Sequence, residues 1–184
     1  ATAVNPCVRE NPRAYWFGEK DKACESCVWL QAVTAEYASV AKLAYATGLV
    51  DLEKAYENVT HHPLVRAAVK YGFPLWVLRL ALLCYGMPRL VTMEGAVAYK
   101  VRTAQSIVAG CSFATVLLRL MLMETLDKVQ DEYPLVNLAV VVDDITVAAV
   151  GRGEDVVREV AAATERVTSL LRSEGVNLVV SKER

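Results

Sequence analysis

Two β-branched runs, Asn137 to Val142 and Ile145 to Val150, meet at the adjacent carboxylates Asp143 and Asp144, and this stretch constrains the fold more than any other. Runs of this length joined by two turn-forming residues predict a tight antiparallel hairpin, with both carboxylates pointing off the end of a sheet. Crowded like charges raise one another's energy unless something neutralises them. Aspartate is also an ordinary turn former, so the pair alone reads as a solvated turn.

The rest of the chain supplies helices and a second hairpin. Apolar residues at helical spacing (Val28, Leu30, Val33, Tyr37, Val40, Leu43) predict one long helix from Cys24 to Tyr45, ended by Gly48. Leu49 to Leu52 then reads as a short buried strand. Pro63 opens a helix that Gly72 closes, and Pro74 opens another that reaches Cys84. Leu90–Met93 and Ala96–Val101 flank the turn pair Glu94-Gly95. An apolar helix follows Ser112 and extends to Leu126. Glu154 to Arg172 carries the clearest amphipathic pattern, with Gly175 as its cap and Val176 to Val180 as a last strand. This order predicts an α+β fold: an antiparallel sheet backed by helices. Residues 1–22 read as an irregular segment and 23–184 as the folded domain.

Composition excludes several classes. With 54% hydrophobic residues a sizeable core is expected, yet no apolar run reaches the roughly 18 to 20 residues of a membrane span. The start of the chain has no basic-then-apolar leader pattern. A net charge of −1 gives no overall basic surplus for gripping nucleic acid, so basic residues must cluster or other domains must contribute. Five cysteines without regular spacing suit reduced thiols and an intracellular setting, cytoplasm or nucleus. The chain begins without Met and stops at Arg184, which reads as a fragment.

Asp51 changes the reading of the carboxylate pair. It sits at the end of its own apolar run, and a third carboxylate from a neighbouring strand would make an oxygen-rich cluster suited to Mg²⁺. Two such ions about 4 Å apart can activate a hydroxyl and stabilise a leaving pyrophosphate without a nucleophilic side chain. At this point the sequence resembles a known family. Asp51-Leu52-Glu53-Lys54-Ala55-Tyr56, running on to His61, resembles motif A of reverse transcriptases, particularly those of non-LTR retroelements and group II introns. Ser106 to Ser112 is similar to motif B, Val141-Val142-Asp143-Asp144 to motif C, and Gly175 to Lys182 to motif D. The four follow in the family's order over residues 15–184.

The resemblance implies a right-hand polymerase palm with partial fingers, performing RNA-directed DNA synthesis with two Mg²⁺ ions (Mn²⁺ as a substitute). Asp51, Asp143 and Asp144 would be the metal ligands. Tyr56 would exclude a ribose 2′-hydroxyl, Gly110 and Cys111 would lie against the substrate, and Lys182 would protonate the leaving pyrophosphate. RNA template, DNA primer and dNTP are the implied partners, with the other domains of a larger retroelement polyprotein and without a membrane. Val141 stands where motif C has an aromatic residue, Ala109 where motif B has a glutamine, and Ala114-Thr115 where it has Ser-Pro. Three other readings remain: a catalytically degenerate remnant, a viral-type RNA polymerase (which Tyr56 opposes), and a non-catalytic nucleic-acid or protein-binding module.

Among the remaining residues, Cys24 and Cys27 have the spacing of half a zinc site, but lying on a helix without a second pair they read as plain thiols. His61-His62 reads as a helix start. Trp29 and Trp76 fall on apolar helical faces and are expected in the core. Arg89, Lys100 and Arg102 flank one hairpin and are candidates for a nucleic-acid track.

Overall fold

The computed structural model describes residues 5–18, 22–90, 92–97, 99–100, 102–173 and 179–183. The predicted hairpin forms from β4 (Asn137–Val141) and β5 (Asp144–Gly151). Its turn differs from the expectation. Val141 pairs with Asp144, so the two turn residues are Val142 and Asp143, and Asp144 belongs to the strand. The cause lies outside the local pattern. Tyr15 to Phe17 run alongside β4, with Val140 N–H on Tyr15 O at 2.8 Å and Phe17 N–H on Val140 O at 2.9 Å. The outer edge is thus anchored at Val140, and the chain leaves the sheet one residue early.

That placement forces Val142 to φ 60°. A two-residue hairpin with positive φ at its first central position favours glycine there, and a β-branched residue in that region stores on the order of 1–3 kcal/mol of strain. Val142→Gly is therefore expected to stabilise the fold slightly, by under about 1 kcal/mol, the relief of strain outweighing both glycine's extra entropy in the unfolded chain and the partly buried valine's packing against the core. Chemical denaturation checks this; a destabilised variant would contradict it.

The first long helix, α2, ends at Val40 rather than Tyr45. Ala41 N–H bonds Tyr37 O at 2.9 Å, Lys42 N–H bonds Ser39 O at 3.2 Å, and Leu43 N–H bonds Ala38 O at 2.8 Å. Lys42, at φ 55°, takes the left-handed position usually given to glycine. Strand β1 then runs from Ala44 to Glu53, absorbing Gly48 in its middle opposite Val147. A Cβ on Gly48 would run into the side chain of Thr164. Gly48→Ala is expected to cost about 1–3 kcal/mol through overpacking, read as a lower unfolding midpoint in urea.

The sheet order is β4-β5-β1-β6, all antiparallel, with β6 spanning Val179–Glu183. Gly175 and residues 176–178, expected as cap and strand start, lie outside the described residues. Alternation along the strands sends Val50, Leu52, Val140, Ile145 and Val147 into one core with Leu117, Leu118 and Leu122 of α5 (Ala114–Glu132) and Val160, Ala163 and Val167 of α6 (Asp155–Ser173). The opposite face meets α2 (Cys24–Val40), where Gln31 Nε2 donates to Thr146 Oγ1 at 3.2 Å. Helix α5 outruns its expected end near Leu126: Val129 in the added turns is fully buried, Gln130 Nε2 donates to Val136 O at 2.8 Å, and Arg166 meets Glu132 through two contacts of 2.7 and 2.8 Å.

The N-terminal segment also departs from expectation. Residues 5–10 form helix α1 (Asn5–Glu10), and the loop after it is part of the core. Asn11 Nδ2 bonds both Cys7 O and Tyr71 O, Arg13 clamps Asp127 at 2.7 Å through two nitrogens, and Tyr15 Oη donates to the same carboxylate. Trp16 is fully buried, whereas Trp29 and Trp76 are 70% and 63% exposed, which reverses the expectation for those two. On α2 the buried side is set by Cys27 and Ala38, and Trp29 projects from the other side. Helices α3 (His61–Lys70) and α4 (Leu75–Tyr85) begin and end near Pro63, Gly72 and Pro74 as predicted. The small hairpin β2 (Thr92–Met93) and β3 (Ala96–Val97) turns at Glu94 and Gly95, both at positive φ, the geometry that its glycine permits. Among the described residues no helix is long and apolar enough to cross a membrane.

Candidate active site

Strand register collects the carboxylates. Asp51 on β1 lies opposite Asp144 on β5, the last pair of that ladder. Lys182 on β6 flanks Asp51 from the other side, so Asp144, Asp51 and Lys182 occupy one row across three adjacent strands. The side chain of Lys182 lies outside the described residues. Between Asp51 and Leu52 the pairing to β6 slips by one residue, a bulge of the kind that re-aims side chains at a sheet end. Asp143 occupies the turn beside this row.

Asp143 is held above the usual carboxylate range, first because it is partly desolvated, and further because Asp144 and Asp51 place negative charge beside it. The strained Val142 belongs to the same turn. Sequence periodicity carries no sign of that strain; only the register reveals it.

The loop after Asp51 is tied to the segment around Ser106. Ile107 N–H bonds Tyr56 O at 2.8 Å, Ser106 N–H bonds Val59 O at 2.8 Å, and His61 Nε2 contacts Ser106 O at 2.8 Å. Tyr56 is half-buried against the core. His61 thus serves at a helix start, as the sequence suggests. Gly110 adopts φ 85°, and among the described residues no heavy atom beyond its two chain neighbours lies within 4 Å of where its Cβ would be. A turn requires the glycine, and its open side leaves room for a ligand to approach the backbone. Cys111 is less free: its sulfur accepts a bond from Tyr85 Oη at 3.1 Å.

A cavity of about 380 Å³ opens between α2 and the sheet, lined by Cys24, Cys27, Gln31, Asp51, Val141 and Asp144 among others. Sequence reasoning separates the two cysteines from the carboxylates. The fold joins them, because α2 crosses the sheet face that carries Asp51 and Asp144. Arg89, Lys100 and Arg102 are all exposed around the small hairpin.

Comparisons with known proteins agree with this architecture. The model for "Reverse transcriptase (RNA-dependent DNA polymerase)" matches residues 18–184. The fold superposes on a telomerase from Candida tropicalis, solved in apo form and truncated from its C-terminal domain, with a TM-score of 0.65 at 12% identity. All of this chain is covered, and 39% of that telomerase chain. No curated protein sequence matches the chain significantly. The sheet backed by helices is therefore a right-hand polymerase palm, and the chain belongs to the reverse transcriptase (RNA-dependent DNA polymerase) family.

Proposed function

We propose that this chain is the palm, with part of the fingers over residues 23–184, of a retroelement RNA-directed DNA polymerase of the non-LTR or group II intron type. The observation that supports it most is the register that sets Asp144 opposite Asp51, with Asp143 in the adjoining turn. The donor chemistry fits a divalent cation: three carboxylates share a sheet end, and their mutual repulsion contributes to raising Asp143. Among the described residues no three His, Cys, Asp or Glu side chains are already closed around one point. All three side chains are partly or fully exposed.

In this reading Asp51 and Asp143 hold two Mg²⁺ ions, or Mn²⁺ in their place, and Asp144 assists. When bound, the ions activate a primer 3′-hydroxyl and offset charge on the leaving pyrophosphate. Tyr56 stands below the sugar and rejects a ribose 2′-hydroxyl. Gly110 admits the template and incoming nucleotide to the backbone, and Cys111 lines that approach. Lys182, in the row with Asp51, donates the proton that the departing pyrophosphate takes up.

RNA template, DNA primer and dNTP are the partners of that reaction. Gripping them falls to further segments of a longer polyprotein, which suits a chain spanning 39% of the telomerase it superposes on and carrying a net charge of −1. A catalytically degenerate palm is the competing reading, favoured by Val141 and Ala109 at positions where motifs C and B carry an aromatic residue and a glutamine. Primer extension on an RNA template decides between them. The assay uses a protein carrying this chain with its neighbouring segments, against Asp143→Asn. Extension by the parent and its loss in the variant support the polymerase; extension that survives the substitution overturns the metal assignment. The 184-residue chain alone is expected to show no extension.

A further inference from the structure

The first turn of α2 places two thiols in unequal surroundings. Cys24 is the first residue of the helix and exposed, while Cys27, one turn on, is buried. The Cys27 thiol is pushed up, chiefly by burial and further by the nearness of Cys24. Its sulfur accepts a bond from Gln31 Nε2 at 3.3 Å, and the same amide reaches Thr146 on β5. Both cysteines line the cavity that also contains Asp51 and Asp144.

An exposed thiol at a helix start, followed one turn later by a buried one, is a geometry suited to thiol–disulfide exchange. Residues three apart on a helix have Cβ atoms roughly 5–6 Å apart, and a disulfide needs about 3.5–4.5 Å. The first helical turn can supply that closure, because its N–H groups are not locked into the intrahelical ladder. Ser26 N–H is the exception, since it bonds Ala23 O at 2.9 Å.

We propose that Cys24 and Cys27 form a dithiol site that exchanges with small-molecule disulfides such as glutathione disulfide, closing an intrahelical disulfide in the wall of the cavity facing Asp51 and Asp144. Cys24, as thiolate, attacks one sulfur of glutathione disulfide; that S–S bond breaks, a mixed disulfide forms, and one glutathione leaves. Cys27 then gives up its proton and attacks the Cys24 sulfur, and the second glutathione departs. Two thiols are oxidised and one disulfide is reduced to two glutathiones. Closure draws Cys27 toward Cys24 and away from Gln31, the residue that ties α2 to β5.

The test equilibrates the full chain with glutathione buffers of rising disulfide fraction, traps free thiols by alkylation, and maps them by mass spectrometry. The expected result is a Cys24–Cys27 bridge that forms with loss of two hydrogens and no retained glutathione. Cys27→Ser should stop at a mixed disulfide on Cys24 and require about tenfold more glutathione disulfide, because the intramolecular step is lost. Cys24→Ser, at an exposed position, should leave Cys27 reduced. Separate glutathione adducts on the two cysteines, thiols that persist throughout, or identical titrations of parent and Cys27→Ser would each overturn the proposal. The readout is thiol chemistry alone, so it stands or falls apart from the polymerase reading.

Discussion

Trp16→Ala is expected to cost about 3–5 kcal/mol, the range for deleting a fully buried large aromatic side chain, and to show as a steep loss of urea resistance. Trp16 has no solvent exposure and lies in a parallel bridge with Val140. The Arg119 guanidinium stands 5.2 Å from its ring centre, an attraction that alanine removes. Among the described residues the buried indole N–H has no acceptor, so the cost comes from packing rather than a lost hydrogen bond. Trp16→Phe, which also deletes that unsatisfied donor, should therefore cost clearly less than Trp16→Ala. Equal losses in the two variants would show that the ring's bulk is not what matters. Because β4 is pinned at Val140, the damage should also spread to the Val142-Asp143 turn, visible as faster amide exchange there.

How much of this was legible beforehand depended on whether the signal was local. Strand composition and turn residues are local, and they led to the antiparallel sheet; the reading of Asp51, Gly110 and Asp143-Asp144 as one site came from the family resemblance, because residues so far apart in the chain carry no local mark of meeting. Helices bounded by Pro63, Gly72 and Pro74 are local too. Lys42 hid the end of α2, because a lysine in the left-handed region carries no sequence mark; the alanine-rich stretch through Tyr45 therefore read as continuing helix. The turn shift to Val142 was decided by Tyr15 and Phe17, more than a hundred residues away. Trp16 and Trp29 show the same lesson from both sides. The ring in a polar stretch is buried because that stretch lies along β4, and the ring on an apolar helix is exposed because Cys27 and Ala38 already face the sheet. The cavity joining Cys24 and Cys27 to Asp51 arises from the crossing of α2 over the sheet, and spacing along the chain does not encode it.

Asp143→Asn should move stability and chemistry in opposite directions. In the folded chain Asp143 holds its proton more tightly than an ordinary aspartate, whose value is 3.8. Between that value and the raised one, the folded state binds more protons than the unfolded state, so stability falls as pH rises through this window. Above it the penalty stays constant, and neutral pH lies there. Asparagine carries no charge and removes the penalty. The variant should therefore unfold at a higher temperature than the parent at neutral pH in chelator, with the gap closing in acid below 3.8. Added Mg²⁺ or Mn²⁺ should reverse the order, because a cation that binds only the folded parent stabilises it by about 2.7 kcal/mol at a hundred times its dissociation constant. In primer extension the same substitution should cost on the order of 10³-fold, equivalent to the several kcal/mol that a catalytic metal contributes. A variant less stable than the parent in chelator would contradict the penalty that burial, with Asp144 and Asp51 beside it, places on the Asp143 carboxylate. Equal metal-induced shifts in both proteins would remove Asp143 from the metal site while leaving the palm intact.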